Sequence, residues 1–112
     1  DGSWYVFAVT RVGNSVRLFI VGTHIDTTTV SGAFDAGDGA NLYIGNEDDN
    51  SEDFHGYLDE IRISNNCRYP SGTTFTPSTT AFTSDANTKL LIHGDGASGK
   101  VTRIHGTSLA WS

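Results

Sequence analysis

Residues Gly56-Tyr57-Leu58-Asp59-Glu60-Ile61-Arg62-Ile63-Ser64 read as one extended segment with an acidic pair at its middle. Arg68-Tyr69 and Phe75-Thr76-Pro77 follow it. Over residues 55–64 a strand sets Tyr57, Asp59, Ile61 and Ile63 on one face and Leu58, Glu60, Arg62 and Ser64 on the other. Asp59 is therefore expected to face inward between isoleucines. A carboxylate in that setting needs donors, and tying neighbouring loop amides together would supply them. Glu60 and Arg62 are expected to form a charge pair on the opposite face.

Upstream, the signals are also those of strands and tight turns. Residues 4–10 are apolar at both parities and predict a central strand covered on both faces, with Trp4 in the core. Gly13-Asn14 predicts a hairpin turn, because glycine supplies the positive φ such turns need. Val16, Leu18 and Ile20 mark one face of the return strand, which Gly22 ends. Residues 26–40 are rich in Thr, Ser, Gly and Asp and predict a loop with one short strand near 28–34. Leu42-Tyr43-Ile44 predicts a short strand stopped by Gly45, before a charged loop over 46–53. Downstream, 70–85 is irregular and rich in Pro, Ser and Thr. Lys89 to His93 predicts a strand, and Val101 to Ile104 and Leu109 to Trp111 two short ones. No helix is predicted.

Composition bounds the rest. A chain of 112 residues makes one domain at most, with a modest core. The formal net charge is −6, and ten of the acidic residues fall between Asp26 and Glu60, a span without Lys or Arg. Such a surface repels phosphate backbones, so nucleic-acid binding is not expected. Cys67 is the single cysteine, which excludes an intrachain disulfide and reads as a small buried side chain. No apolar run is long enough to insert in a membrane as a helix, and neither a signal peptide nor an Asn-x-Ser/Thr sequon is visible.

Taken in order, Trp4, Ala8-Val9-Thr10-Arg11, Leu18-Phe19-Ile20-Val21-Gly22, Leu42-Tyr43-Ile44-Gly45, Leu58-Asp59-Glu60-Ile61-Arg62-Ile63-Ser64, Arg68-Tyr69 and Phe75-Thr76-Pro77 resemble the closing part of laminin-G-like domains. These are concanavalin A-like lectin/glucanase jelly rolls of the type repeated in bacterial surface proteins and phage tail fibres. One departure is Val21, where the family often has Asp. The resemblance implies an all-β, antiparallel jelly-roll β-sandwich. Asp85 to Gly96 is similar to the opening strand of such a domain, yet here it comes last. The expected organisation is the C-terminal part of a sandwich over 1–78, a linker over 79–87, and a segment over 88–112 resembling the start of such a domain. The sandwich is then incomplete, and two explanations fit: the chain is a segment of a longer multi-module protein that ends inside the next repeat, or the tail pairs with this or a neighbouring copy, with residues 86–111 as an element for strand exchange that gives a homo-oligomer or fibre.

The resemblance implies a non-catalytic adhesion or glycan-binding module of an extracellular or virion fibre. Cell-surface polysaccharide is the expected partner. The candidate sugar contacts are Tyr43, Tyr69 and Trp111 as aromatic platforms, with Asn41 and Asn50 as polar partners. Calcium is the candidate cofactor. It takes six to eight oxygen ligands, and Asp48, Asp49 and Asp53 are the expected ligands, although the spacing is not that of an EF-hand. One alternative is a structural fibre subunit polymerised by strand exchange. Another is a glycoside hydrolase, which needs two carboxylates held across the scissile bond. The parity of the acidic strand sends Asp59 and Glu60 to opposite faces, so an enzyme is not expected. His24, His55, His93 and His105 show no zinc spacing, and there is no Gly-x-Ser-x-Gly elbow.

Overall fold

The computed structural model describes residues 2–33, 41–46, 54–95 and the strand at 104–105. The chain is all-β and antiparallel, with two three-stranded sheets that form part of a sandwich. The first sheet holds β1 (Phe7–Val12), β2 (Ser15–Ile20) and β3 (Thr23–Thr29) in that order. The second holds β4 (Ile61–Ser64), β5 (Thr88–Ile92) and β6 (Ile104–His105), with β5 central.

Two tight turns build the first sheet. β1 and β2 pair from Phe7–Ile20 to Val12–Ser15, which leaves Gly13-Asn14 as a two-residue loop. Only Gly13 has a positive φ there, +58°, the pattern of a type II′ turn. The second turn, Val21-Gly22, joins Ile20 and Thr23, which pair in register. Both of its residues are left-handed, at φ +49° and +75°, so it is a type I′ turn with a β-branched side chain in its first central position. A Cβ on Gly22 would lie 2.0 Å from the Phe75 carbonyl oxygen, so the chain needs glycine there twice over.

The return of the chain to this sheet comes from residues 72–77. The Phe75 amide donates to Gly22 O at 2.7 Å, the His24 amide donates to Thr73 O at 2.9 Å, and Thr23 and Thr74 form an antiparallel bridge. The Arg17 guanidinium donates to Gly72 O. These bonds press Phe75 and Tyr69 onto Phe19, which is 1% exposed. Tyr69 and Phe75 stack with centroids 3.6 Å apart, and Phe19 meets Phe75 and His24 edge-on at 5.4 and 5.6 Å. The second sheet has its core in β5, where Leu90 and Leu91 are both buried. Neighbouring strand residues point to opposite faces, so β5 is covered on both sides.

Several sequence expectations change. β1 begins at Phe7, lies at the edge of its sheet, and leaves Phe7 and Val9 about two-thirds exposed, because the aromatic cluster covers only the other face. The third strand comes earlier than expected, at Thr23–Thr29, since a two-residue turn returns the chain at once and its threonines suit a strand. Leu42, Tyr43 and Ile44 are exposed and form no strand, having no ladder partner among the described residues. Of 55–64 only Ile61–Ser64 is strand. Cys67 is free and half-buried. Residues 88–92 pair with β4 of the same chain, Ile61 with Ile92 and Ile63 with Leu90.

Candidate functional site

The interruption at Glu60 creates the site. Its φ of +51° is left-handed, a conformation costly for a residue with a side chain. It breaks the two-residue alternation just ahead of β4, so Asp59 and Glu60 line one open cleft of about 460 Å³ instead of pointing apart. The other walls are Trp4 and residues Ser78, Thr79, Thr80 and Ala81. The latter continue the segment that packs Phe75 and Pro77 over Gly22.

Each carboxylate is held by the chain that leaves β5. Asp59 Oδ1 accepts from the Gly94 amide and from the Glu60 amide, both at 2.8 Å. Glu60 Oε1 lies 2.7 Å from His93 Nδ1, and Glu60 Oε2 accepts from the Phe82 amide at 2.6 Å. The bond to Glu60 raises the His93 pKa above its ordinary value against the opposing effect of burial, and the charges of Glu60, Asp95 and Asp59 add to it. Asp59 thus ties a loop amide as its chemistry required, but from an exposed position and not between isoleucines. Glu60 pairs with His93 and not with Arg62, whose guanidinium sits 4.2 Å from the Phe82 ring centroid.

A second polar clasp fixes the same two strands farther along. Arg68 makes a bidentate pair with Asp85, both bonds at 2.9 Å, and Arg68 Nε donates to Ser64 Oγ at 2.7 Å. Thr88 Oγ1 donates to Asp85 Oδ1 at 3.0 Å and accepts from the Asp85 amide at 3.1 Å. The guanidinium bonds push the Asp85 carboxyl far below the usual aspartate range, and the same pairing raises Arg68.

The aromatic platform of the cleft is Trp4, 67% exposed. It was expected in the core, since a Trp at the start of an apolar run is more often packed than presented. Local sequence carries no signal of its exposure, which depends on Ser78 to Ala81 coming past it. The sugar contacts read from sequence do not converge. Tyr69 is half-buried, with one face of its ring stacked on Phe75. Asn41 and Tyr43 are exposed and bonded to each other, Asn41 Nδ2 donating to Tyr43 Oη at 3.2 Å. Asn50, Trp111 and the expected calcium ligands Asp48, Asp49 and Asp53 lie outside the described residues. Among the described residues no group of three His, Cys, Asp or Glu side chains is placed to hold a metal, and no helix is long and apolar enough to cross a membrane.

Residues 1–72 match the family model of the laminin G type described as the concanavalin A-like lectin/glucanases superfamily. No curated protein and no solved structure matches the chain. Domains of this kind are usually non-catalytic and typically extracellular, and they serve in general as carbohydrate-binding or adhesion modules. The matched span takes in the whole first sheet, the acidic pair and β4, and on it the chain belongs to the concanavalin A-like lectin/glucanase superfamily in its laminin G form.

Proposed function

We propose that this protein is a non-catalytic adhesion module of an extracellular or virion fibre that binds a glycan in the cleft beside Trp4. The observation that carries the reading is the exposed indole at the rim of a cleft whose walls hold two carboxylates and three hydroxyl side chains. An apolar ring face suits the C–H face of a pyranose, while the Asp59 carboxylate and the hydroxyl oxygens take its hydroxyl groups. Binding is favoured over hydrolysis by the hydrogen bonds already made. Both oxygens of Glu60 are engaged with His93 and Phe82, so that side chain is committed to holding the wall and not to moving a proton. Asn41 and Tyr43 offer an additional polar contact outside the cleft. Calcium on Asp48, Asp49 and Asp53 belongs to the same proposal, as a cation taken up by the acidic residues of that segment.

The test is a glycan array followed by calorimetric titration of the best hit, with and without a chelator. The Trp4→Ala variant is expected to weaken binding at least about tenfold, the scale of losing a stacked aromatic anchor. Unchanged affinity in that variant, or an array with no hit in either calcium condition, would sink the proposal.

A further inference from the structure

The two carboxylates of the cleft beside Trp4 are not equivalent. Glu60 is half-buried and balanced: its Oε1 lies 2.7 Å from His93 Nδ1, and the pairing favours the imidazolium. Asp59 is exposed and is held only by backbone, its Oδ1 accepting from the Gly94 and Glu60 amides. Bonds from amides stabilise the charge of a carboxylate without cancelling it. Among the described residues nothing bonds Asp59 Oδ2, and no Lys or Arg lines the cleft. Arg62, the next cation along the chain, is laid on the Phe82 ring. An unbalanced carboxylate therefore shares one opening with an indole that is 67% exposed.

We propose that the glycan taken up in this cleft is an amino sugar with a free ammonium group, as in a de-N-acetylated hexosamine polymer, its ammonium on Asp59 and its ring on Trp4. The inference rests on the glycan reading and narrows it to one class of sugar. An ammonium group has donors only, an ionised carboxylate acceptors only, and the bond between them is charge-assisted. A cation beside an indole face is also drawn to the ring quadrupole. A neutral sugar would use the same indole but leave the Asp59 charge to water. A uronic-acid or sulfated chain would meet like charge in the cleft and a net charge of −6 over the protein. The lysine side chain of a protein partner would satisfy Asp59 and Trp4 but not the hydroxyl wall. In that wall Ser78 is committed to Thr80, its Oγ donating to Thr80 O at 2.8 Å. The Thr79 hydroxyl makes no bond among the described residues and is open to a ring hydroxyl.

Calorimetric titration with a glucosamine oligomer, and with an N-acetylglucosamine oligomer of equal length and linkage, tests the inference, since the two differ only at nitrogen. The free-amine oligomer is expected to bind about tenfold tighter, a half-open ion pair and an ammonium beside an indole each contributing several-fold. Added salt should weaken that binding and leave the acetylated oligomer unaffected. Asp59→Asn keeps an acceptor for the Gly94 amide and should bring the free-amine oligomer down to the affinity of the acetylated one. If circular dichroism shows that variant unfolded, the salt response of the unaltered chain decides, and a salt-independent affinity overturns the inference. Equal affinities, tighter binding of the acetylated oligomer, or a preference for polygalacturonate overturns it and leaves the glycan reading standing. Oligolysine bound as tightly as the amino sugar also overturns it, because the cleft would then read charge and not a sugar. Neither oligomer binding, alongside an array hit that Trp4→Ala weakens, ends this inference alone, whereas an array with no hit ends both.

Discussion

The two sheets are held to the rest of the chain by opposite means. The first is anchored by rings, with Phe19, Tyr69 and Phe75 packed on one face and bonded through residues 72–75. Among the described residues the second buries two leucines, and its strands are located by polar clasps, Arg68 with Asp85 and Thr88, and Asp59 and Glu60 with Gly94 and His93. The difference is one of range and direction. Apolar burial is strong and non-directional. Hydrogen-bonded ion pairs add modest net stability but fix geometry closely. A binding cleft benefits from the second kind of anchor, because its walls must hold one arrangement. The cleft indeed lies where the polar clasp meets the end of the ring-packed segment.

Breaking the ring anchor should have the largest effect. Phe19→Ala removes the most buried ring of the first sheet and is expected to cost about 3–5 kcal/mol, a large share of a typical domain's stability. Urea denaturation monitored by circular dichroism would read it, and a loss below about 1 kcal/mol would show that the cluster is not the anchor.

Relieving strain in the same sheet should act in the opposite direction and be smaller. Val21 occupies the left-handed first position of a type I′ turn, where Asn is favoured. Its side chain is 52% exposed, so Val21→Asn gives up little burial and should stabilise by about 1 kcal/mol. A lower denaturation midpoint in that variant would contradict the assignment of strain to this turn.

The smallest effect is the one that separates the sheets, because it reaches only the clasps. Asp85 has a lowered pKa, so its contribution is present above the ordinary aspartate value of 3.8 and is lost as the pH falls through the lowered one. His93 has a raised pKa, so its contribution is present below the ordinary histidine value of 6.5 and is lost as the pH rises through the raised one. The clasps are strongest between those limits. Hydrogen-exchange protection of Leu90 and Leu91, taken relative to that of Phe19, should fall modestly on both sides of that window. A ratio independent of pH would mean that the clasps do not locate the second sheet.

Much of the fold was legible because it is local. The first hairpin follows from Gly13-Asn14 and from the alternation of Val16, Leu18 and Ile20, and β5 falls within one residue of the expected Lys89 to His93. The site was far less legible. Alternation placed Asp59 and Glu60 on opposite faces, and nothing in the residues around Glu60 announces a left-handed backbone. That twist is kept by contacts with Phe82 and His93, 22 and 33 residues away. Tyr69 has the composition of a sugar platform, but its exposure was decided by Phe75.

By itself, the sequence determined the all-β class, the first hairpin and the resemblance to the concanavalin A-like lectin/glucanase superfamily, because turns, two-residue periodicity and short motifs are properties of neighbouring residues. The tertiary structure alone decided which face of the first sheet is covered, that Trp4 is presented to solvent, and that two carboxylates share one cleft. Those outcomes depend on where residues 72–95 return, and the returning segment is fixed by burial and hydrogen bonds between parts of the chain that are distant in sequence.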